Sequence, residues 1–159
     1  MTQPARYLIH LHDLPVGPVT LAATDQALLW LKFGIRDYPG AAPASNPVLE
    51  AAARQLREYF AGDRRTFELP LAPEGTEFQR RVWDALCTIP YGETWSYAAV
   101  GRAIGNPRAA RAVGMANNRN PISIIIPCHR VIGANGALVG YGSGLPIKET
   151  LLRLEGVLD

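Results

Sequence analysis

The chain has 159 residues, 48% of them hydrophobic and 19% charged, which is enough to bury a core in one domain or two small ones and excludes a largely disordered chain. No apolar run approaches the roughly 18 residues that cross a bilayer, and Met1-Thr2-Gln3-Pro4-Ala5-Arg6 lacks the basic-then-apolar layout of a secretory signal, so a soluble cytoplasmic protein without membrane contacts is expected. The net charge of +2 is unevenly spread: Thr94 to Lys148 holds no acidic residue and six basic ones (Arg102, Arg108, Arg111, Arg119, Arg130, Lys148), leaving ten basic and fourteen acidic residues elsewhere. A polyanion partner for the basic half and a merely solvated basic surface fit this asymmetry about equally.

In chain order, residues 6–12, 17–24 and 27–34 are short apolar or alternating runs, separated by Asp13, Pro15, Gly17, Asp25 and Gly34. They predict a small antiparallel sheet. Residues 38–45 read as a loop. Asn46 can cap a helix that Pro47 opens; Leu49, Ala52, Ala53, Leu56, Tyr59 and Phe60 recur at helical spacing, and Gly62 stops it. Residues 66–71 could return as a strand, and the two prolines within 69–75 mark a linker, which predicts an α/β N-terminal domain over 1–73 and a second domain over 74–159.

The second half changes to helices. Thr76-Glu77-Phe78-Gln79 matches a capping box opening a helix to about Thr88, with Phe78, Val82 and Leu86 on its buried side. Tyr91-Gly92-Glu93 is a turn, and Ser96 caps a helix through Ile104. After Gly105, Asn106 caps and Pro107 opens another helix reaching about Ala116. Helix, short glycine-containing turn, helix is the layout of a helix-turn-helix, although a plain helical hairpin gives the same pattern. Residues 122–126 are a β-branched run that predicts a buried strand ending at Pro127-Cys128-His129-Arg130. A glycine-rich loop spans 133–144, and a last helix runs from about Pro146 to Glu155 before Gly156. The whole is a mixed α/β chain: a small sheet with a helix, then a mostly helical part containing the helix-turn-helix and a reactive cysteine.

The two cysteines, Cys87 and Cys128, form no Cys-x-x-Cys pair, and the histidines are His10, His12 and His129, a poor inventory for zinc. Neither metal nor cofactor is expected. Cys87 reads as a buried hydrophobe. Cys128, followed by His129 and Arg130, is a candidate nucleophile. A thiolate is the reactive form, an adjacent imidazole can take its proton, and a carboxylate on the other ring nitrogen would fix the tautomer. Glu155, in the apolar context Leu151-Leu152-Arg153-Leu154-Glu155-Gly156, is the candidate carboxylate.

The heptad Ile126-Pro127-Cys128-His129-Arg130-Val131-Ile132 resembles the active-site signature of the O6-alkylguanine-DNA alkyltransferases. So do Gly140-Tyr141, Lys148 and the segment from Leu151 to Gly156 downstream. Upstream, Gly92-Glu93, Ser96-Tyr97, Asn106-Pro107-Arg108-Ala109-Ala110-Arg111-Ala112-Val113-Gly114 and Asn120-Pro121 stand at the family's spacing. The resemblance covers essentially Thr76 to Gly156 and is looser before it, where Leu56-Arg57-Glu58-Tyr59-Phe60-Ala61-Gly62 carries it; the bacterial single-chain members look closest. It implies direct reversal of DNA damage: one irreversible transfer of an alkyl group from O6-alkylguanine, with O4-alkylthymine as a further candidate, to Cys128.

By the same resemblance His129 is the water-linked base, Glu155 its orienting carboxylate, Asn120 the brace between the recognition helix and the active-site strand, and Arg130 a structural arginine. Tyr97 helps rotate the 3′ phosphate and protonates the leaving guanine. Arg111 fills the stack vacated by the flipped base, from a helix whose Ala109, Ala110, Ala112 and Gly114 let it approach the minor groove of double-stranded DNA, where little sequence is read. The loop 139–144 forms one wall of the base pocket, with Tyr141 packing over it, the Gly142 N–H bonding O6 and Lys148 nearby. The carbonyls of Cys128 and Val131 receive the exocyclic amine. Two departures are Ser143-Gly144 where the family usually has Gly-Gly, which reshapes the pocket rim, and Ser123 where animal members often have proline. A monomer is expected. Three other readings remain open from the residues: a module that senses alkylated DNA without repairing it, against which Cys128 itself argues; a transcriptional regulator, which would need base-reading side chains where alanines stand; and a cysteine hydrolase, for which adjacent Cys and His are an unusual pair.

Overall fold

The computed structural model describes residues 3–133, 136, 141 and 144–159. The chain divides into two compact units, Met1–Glu74 and Gly75–Asp159.

The first unit is a four-stranded sheet with one helix. β1 (Arg6–Leu11), β2 (Val19–Ala23) and β3 (Leu28–Phe33) pair antiparallel, with Ile9 opposite Leu21 and Leu21 opposite Leu31. The stretch expected as a plain loop adds a two-residue strand, β4 (Ala41–Ala42), parallel to β1, giving the order β3-β2-β1-β4. All five residues of β2 are buried. The helix α1 (Pro47–Phe60) starts as its sequence predicts: Asn46 Oδ1 accepts from Leu49 N–H at 2.9 Å. Leu49, Ala52, Ala53, Leu56 and Tyr59 form its buried stripe, each large side chain contributing about 1.5–3 kcal/mol by leaving water. Gly62, at φ +82°, takes the left-handed conformation that closes the helix.

Residues 66–71 do not form a strand. Pro70 has no N–H to donate, so β3 gains only one bridge, Leu28 to Leu71, with Leu28 N–H donating to the Pro70 carbonyl and Ala72 N–H to Leu28 O. The Gln55 amide serves Glu68 instead, donating to its carbonyl and accepting from its N–H.

The second unit opens with α2 (Glu77–Leu86), capped reciprocally by Thr76 and Gln79. Val82 and Leu86 are buried as expected and Phe78 is half-buried, but the largest buried side chain of α2 is Trp83, whose Nε1 donates to the Ala116 carbonyl. Cys87, expected inside, lies exposed at the end of α2. The amphipathic stripe has passed it by one position, and crowding around its sulfur, with Asp84 nearby, pushes its pKa up to about 11.

A short strand not foreseen in the sequence, β5 (Trp95–Ser96), pairs parallel with β6 (Val131–Ile132). α3 (Tyr97–Ala103) is capped by Ser96. α4 (Ala110–Asn118) begins three residues later than Pro107 suggests and has no side-chain cap. Asn106 instead turns the chain: its N–H donates to Gly101 O, and its carbonyl accepts from Ala109 N–H. Only glycine fits at Gly101, since a Cβ there would stand 2.8 Å from the Asn106 carbonyl oxygen.

The largest departure is at residues 122–126. They are buried, as the β-branched run predicts, but coil through turns rather than extend. Ile126 N–H donates back to Ile122 O, and Ile125 N–H to Ser123 O. Asn120 brackets the segment, its Oδ1 accepting from Ile122 N–H at 2.9 Å and its Nδ2 donating to Ile126 O at 2.8 Å. Ile124 sits at φ +71°, a conformation costly for a β-branched residue. The last helix, α5 (Leu145–Leu154), ends on Glu155 and Gly156, the latter at φ +82°. Among the described residues, no helix is long and apolar enough to cross a membrane.

Candidate active site

Cys128 does not end a strand. It opens a single 3-10 turn, Cys128–Arg130, after Pro127, where Cys128 N–H donates to Ile126 O and Arg130 N–H to Pro127 O. The residue is buried, at 4% exposure. The two side chains that follow the cysteine in this turn, His129 and Arg130, both reach Glu155.

Glu155, the C-cap of α5, points inward with a fully buried carboxylate. Its Oε2 stands 2.7 Å from His129 Nε2 and accepts from Arg130 Nη2 at 3.0 Å; its Oε1 accepts from Arg130 Nε at 2.7 Å. Arg130 donates its remaining Nη1 to the Ile89 carbonyl, with the Tyr91 ring 5.7 Å away. The carboxylate is therefore charge-balanced by the guanidinium. Burial holds His129 below the usual histidine pKa of 6.5 despite its hydrogen bond to the Glu155 carboxylate, which raises it. A neutral imidazole bonded to a carboxylate through Nε2 must carry its proton there. Nδ1 is then the basic nitrogen, and it is buried without a hydrogen-bond partner among the described residues.

Tyr97, first residue of α3, and Lys148, fully buried on α5, complete the surroundings. Burial raises the Tyr97 pKa, and a Cys128 thiolate raises it further, so the phenol keeps its proton at neutral pH. Burial lowers the Lys148 pKa, opposed by the same thiolate. Both groups thus lie within electrostatic reach of the sulfur. Lys148 Nζ donates to the Val131 carbonyl at 2.5 Å and lies 5.9 Å from the half-buried Tyr141 ring. The Cys128 carbonyl accepts from Val131 N–H and, at 3.4 Å, from Asn117 Nδ2. Both carbonyls assigned to an incoming base by resemblance therefore already receive internal donors.

On α4, Arg111 and Ala112 are exposed and Ala110 and Gly114 half-buried, the last beside the Tyr97 ring. Ala109 departs from its expected place on the outward face: it is buried at the start of the helix, where its carbonyl accepts from Val113 N–H. Gly142, Ser143 and most of the loop 139–144 lie outside the described residues. Two participants escaped the sequence reading, Tyr91, whose hydroxyl also donates to Leu154 O, and Asn117, while Arg130, expected as a structural arginine, has Glu155 as its partner. A signal for Asn117 exists in its spacing of three from Asn120. Among the described residues, no cluster of His, Cys, Asp and Glu could hold a metal ion.

Two family models match the chain: 6-O-methylguanine DNA methyltransferase, ribonuclease-like domain, over residues 7–73, and 6-O-methylguanine DNA methyltransferase, DNA binding domain, over residues 77–157. Similar proteins named methylated-DNA–protein-cysteine methyltransferase include that of Methanosarcina acetivorans, 54% identical over 91% of this chain and 95% of its own length, and that of Mycolicibacterium paratuberculosis, 52% identical over 90% and 88%. The crystal structure of a Mycobacterium tuberculosis protein of this kind in complex with DNA superposes with a TM-score of 0.87 at 47% identity, covering 94% of this chain and 92% of that one.

Proposed function

This chain belongs to the 6-O-methylguanine DNA methyltransferase family, and from that premise we propose that it repairs DNA by moving the alkyl group of O6-alkylguanine irreversibly onto Cys128. The observation that carries the reading is the neutral, Glu155-bonded His129, next in sequence to Cys128, its Nδ1 buried without a hydrogen-bond partner among the described residues.

The cysteine thiol passes its proton to His129 Nδ1 through a water, and Glu155 supports the imidazolium that forms. Arg130 holds that carboxylate in the one orientation that serves His129. The thiolate sulfur bonds to the alkyl carbon as the carbon–O6 bond breaks, and the electron pair leaves with the guanine. Tyr97, kept protonated by burial, donates to the guanine ring nitrogen, which lowers the cost of expelling an anion; the proton held by His129 restores the phenol. Each chain reacts once because a thioether has no leaving group that water could displace.

The O6 atom cannot meet a buried sulfur inside a duplex, so the base is flipped out. Arg111, exposed on α4, fills the gap from the minor groove. Ala110, Ala112 and Gly114 allow close approach, and sequence-indifferent binding suits damage that can arise anywhere. Residues 74–159 carry binding and transfer, residues 1–73 form a separate N-terminal domain, and the protein works as a cytoplasmic monomer. Asn120 braces the reactive turn, and Val131, Tyr141 and Lys148 border the base.

The test is incubation with a duplex containing one O6-methylguanine, followed by peptide mass spectrometry. The peptide bearing Cys128 gains one methyl mass, and Cys128→Ala abolishes the gain. Intact, folded protein that stays unlabelled would overturn the proposal.

A further inference from the structure

The α4 helix has two sides. Arg111, Ala112, Met115, Asn118 and Arg119 are exposed, whereas Asn117 is 2% exposed and directs its amide at the reactive turn. Its Nδ2 donates to Cys128 O at 3.4 Å, and Asn120, three residues on, donates to Ile126 O at 2.8 Å. The two carbonyls bracket Pro127, so two asparagines at the end of one helix hold the backbone on both sides of it.

The two differ in how fully they are used. The Asn120 amide is engaged at both ends. Asn117 Oδ1 is buried without a hydrogen-bond partner among the described residues. Turning the amide over gives no relief, because the Cys128 carbonyl can only accept. Nor does that carbonyl depend on Asn117, since Val131 N–H already donates to it. A half-satisfied buried amide costs stability, and an apolar side chain of similar size would remove that cost. Stability therefore does not explain asparagine at this position; placement of the cysteine does.

We infer that Asn117 is a positioning residue that registers the Cys128 turn against α4, the helix assigned to DNA, so that sulfur and bound DNA share one frame. The inference rests on the alkyl-transfer reading and extends it. A base attached to DNA has its alkyl carbon placed by the helix that holds the strand, so the sulfur must be placed by that helix too. A small electrophile free in solution finds its own approach and is indifferent to this registration.

Asn117→Leu and Asn117→Ala are compared with the unaltered protein in three measurements: transfer from an O6-methylguanine duplex, the pH profile of Cys128 alkylation by iodoacetamide, and thermal unfolding. Transfer from the duplex is expected to slow by roughly 10- to 100-fold, with the iodoacetamide rate and its pH profile unchanged and the leucine variant melting no lower than the parent. A parallel fall of both rates, a profile that shifts, or an unchanged duplex rate would overturn the inference, and the alanine variant decides the matter if the leucine variant does not fold. Absence of transfer in the unaltered protein is a different failure: it removes the repair reading itself and the registration with it.

Discussion

The two units of this chain bury polar groups for different ends. In residues 1–74 the buried polar side chains, Thr20, Asn46 and Gln55, are neutral and each completes the backbone. Thr20 links Gly34 O and Arg36 N–H, Asn46 caps α1, and Gln55 holds both backbone groups of Glu68. In residues 75–159 the set includes four ionisable groups, His129, Arg130, Lys148 and Glu155, together with Asn117, whose carbonyl oxygen finds no partner among the described residues. Removing charges from water is unfavourable unless they are paired. One unit spends its polar groups on regularity; the other holds them in irregular backbone around a sulfur.

The sharpest way to break this contrast is Glu155→Gln. It leaves the Arg130 guanidinium buried without its counter-charge, so the expected loss is about 3–5 kcal/mol in urea unfolding, together with loss of transfer to Cys128. Leu56→Ala in the first unit is expected to cost about 2–5 kcal/mol through the cavity it leaves. Transfer by the fraction that remains folded stays at the parent rate, because every contact described at the site comes from residues 75–159. Equal loss of transfer per folded molecule would dissolve the contrast.

Methylation of Cys128 adds a carbon at a site only 4% exposed. Overpacking of this kind costs about 1–3 kcal/mol, so the melting temperature of the reacted protein falls below that of the unreacted one; identical melting would mean that the turn relaxes freely. His129 supplies a pH test. Its pKa in the folded protein lies below the usual 6.5, so the unfolded chain binds the proton more readily. Its contribution to stability is complete above pH 6.5 and is lost as pH falls from there toward the folded pKa. Unfolding followed from pH 8 to pH 5 in the parent and in His129→Gln measures it, and the variant should lose that part of the acid limb. The smallest stability effect belongs to Arg111→Ala. The side chain is exposed, so stability changes by at most about 0.5 kcal/mol, while transfer from duplex DNA slows by roughly 10-fold or more if the arginine fills the vacated stack.

What the sequence could determine by itself was local. Asn46 with Pro47, and Thr76 with Gln79, act within one helical turn on N–H groups that a helix start leaves unpaired, so α1 and α2 were readable at their first residues. The strands of the first unit were readable because the side-chain period of two does not depend on which strand lies alongside. Cys128, His129 and Glu155 stood out as chemistry-bearing types in apolar surroundings, and the fold brings His129 and Glu155 to 2.7 Å. Tertiary structure decided the rest. The β-branched run at 122–126 signals burial, which it achieves, but extension needs a partner strand, and Asn120 offers its backbone another set of hydrogen bonds. Which group the structural Arg130 would pair with, whether Ala109 faced outward, and whether Asn117 reached the Cys128 carbonyl all depended on the meeting of segments apart in sequence. Those meetings are fixed by packing and by the need to pair each charge taken out of water, and neither constraint is written in the spacing of neighbouring residues.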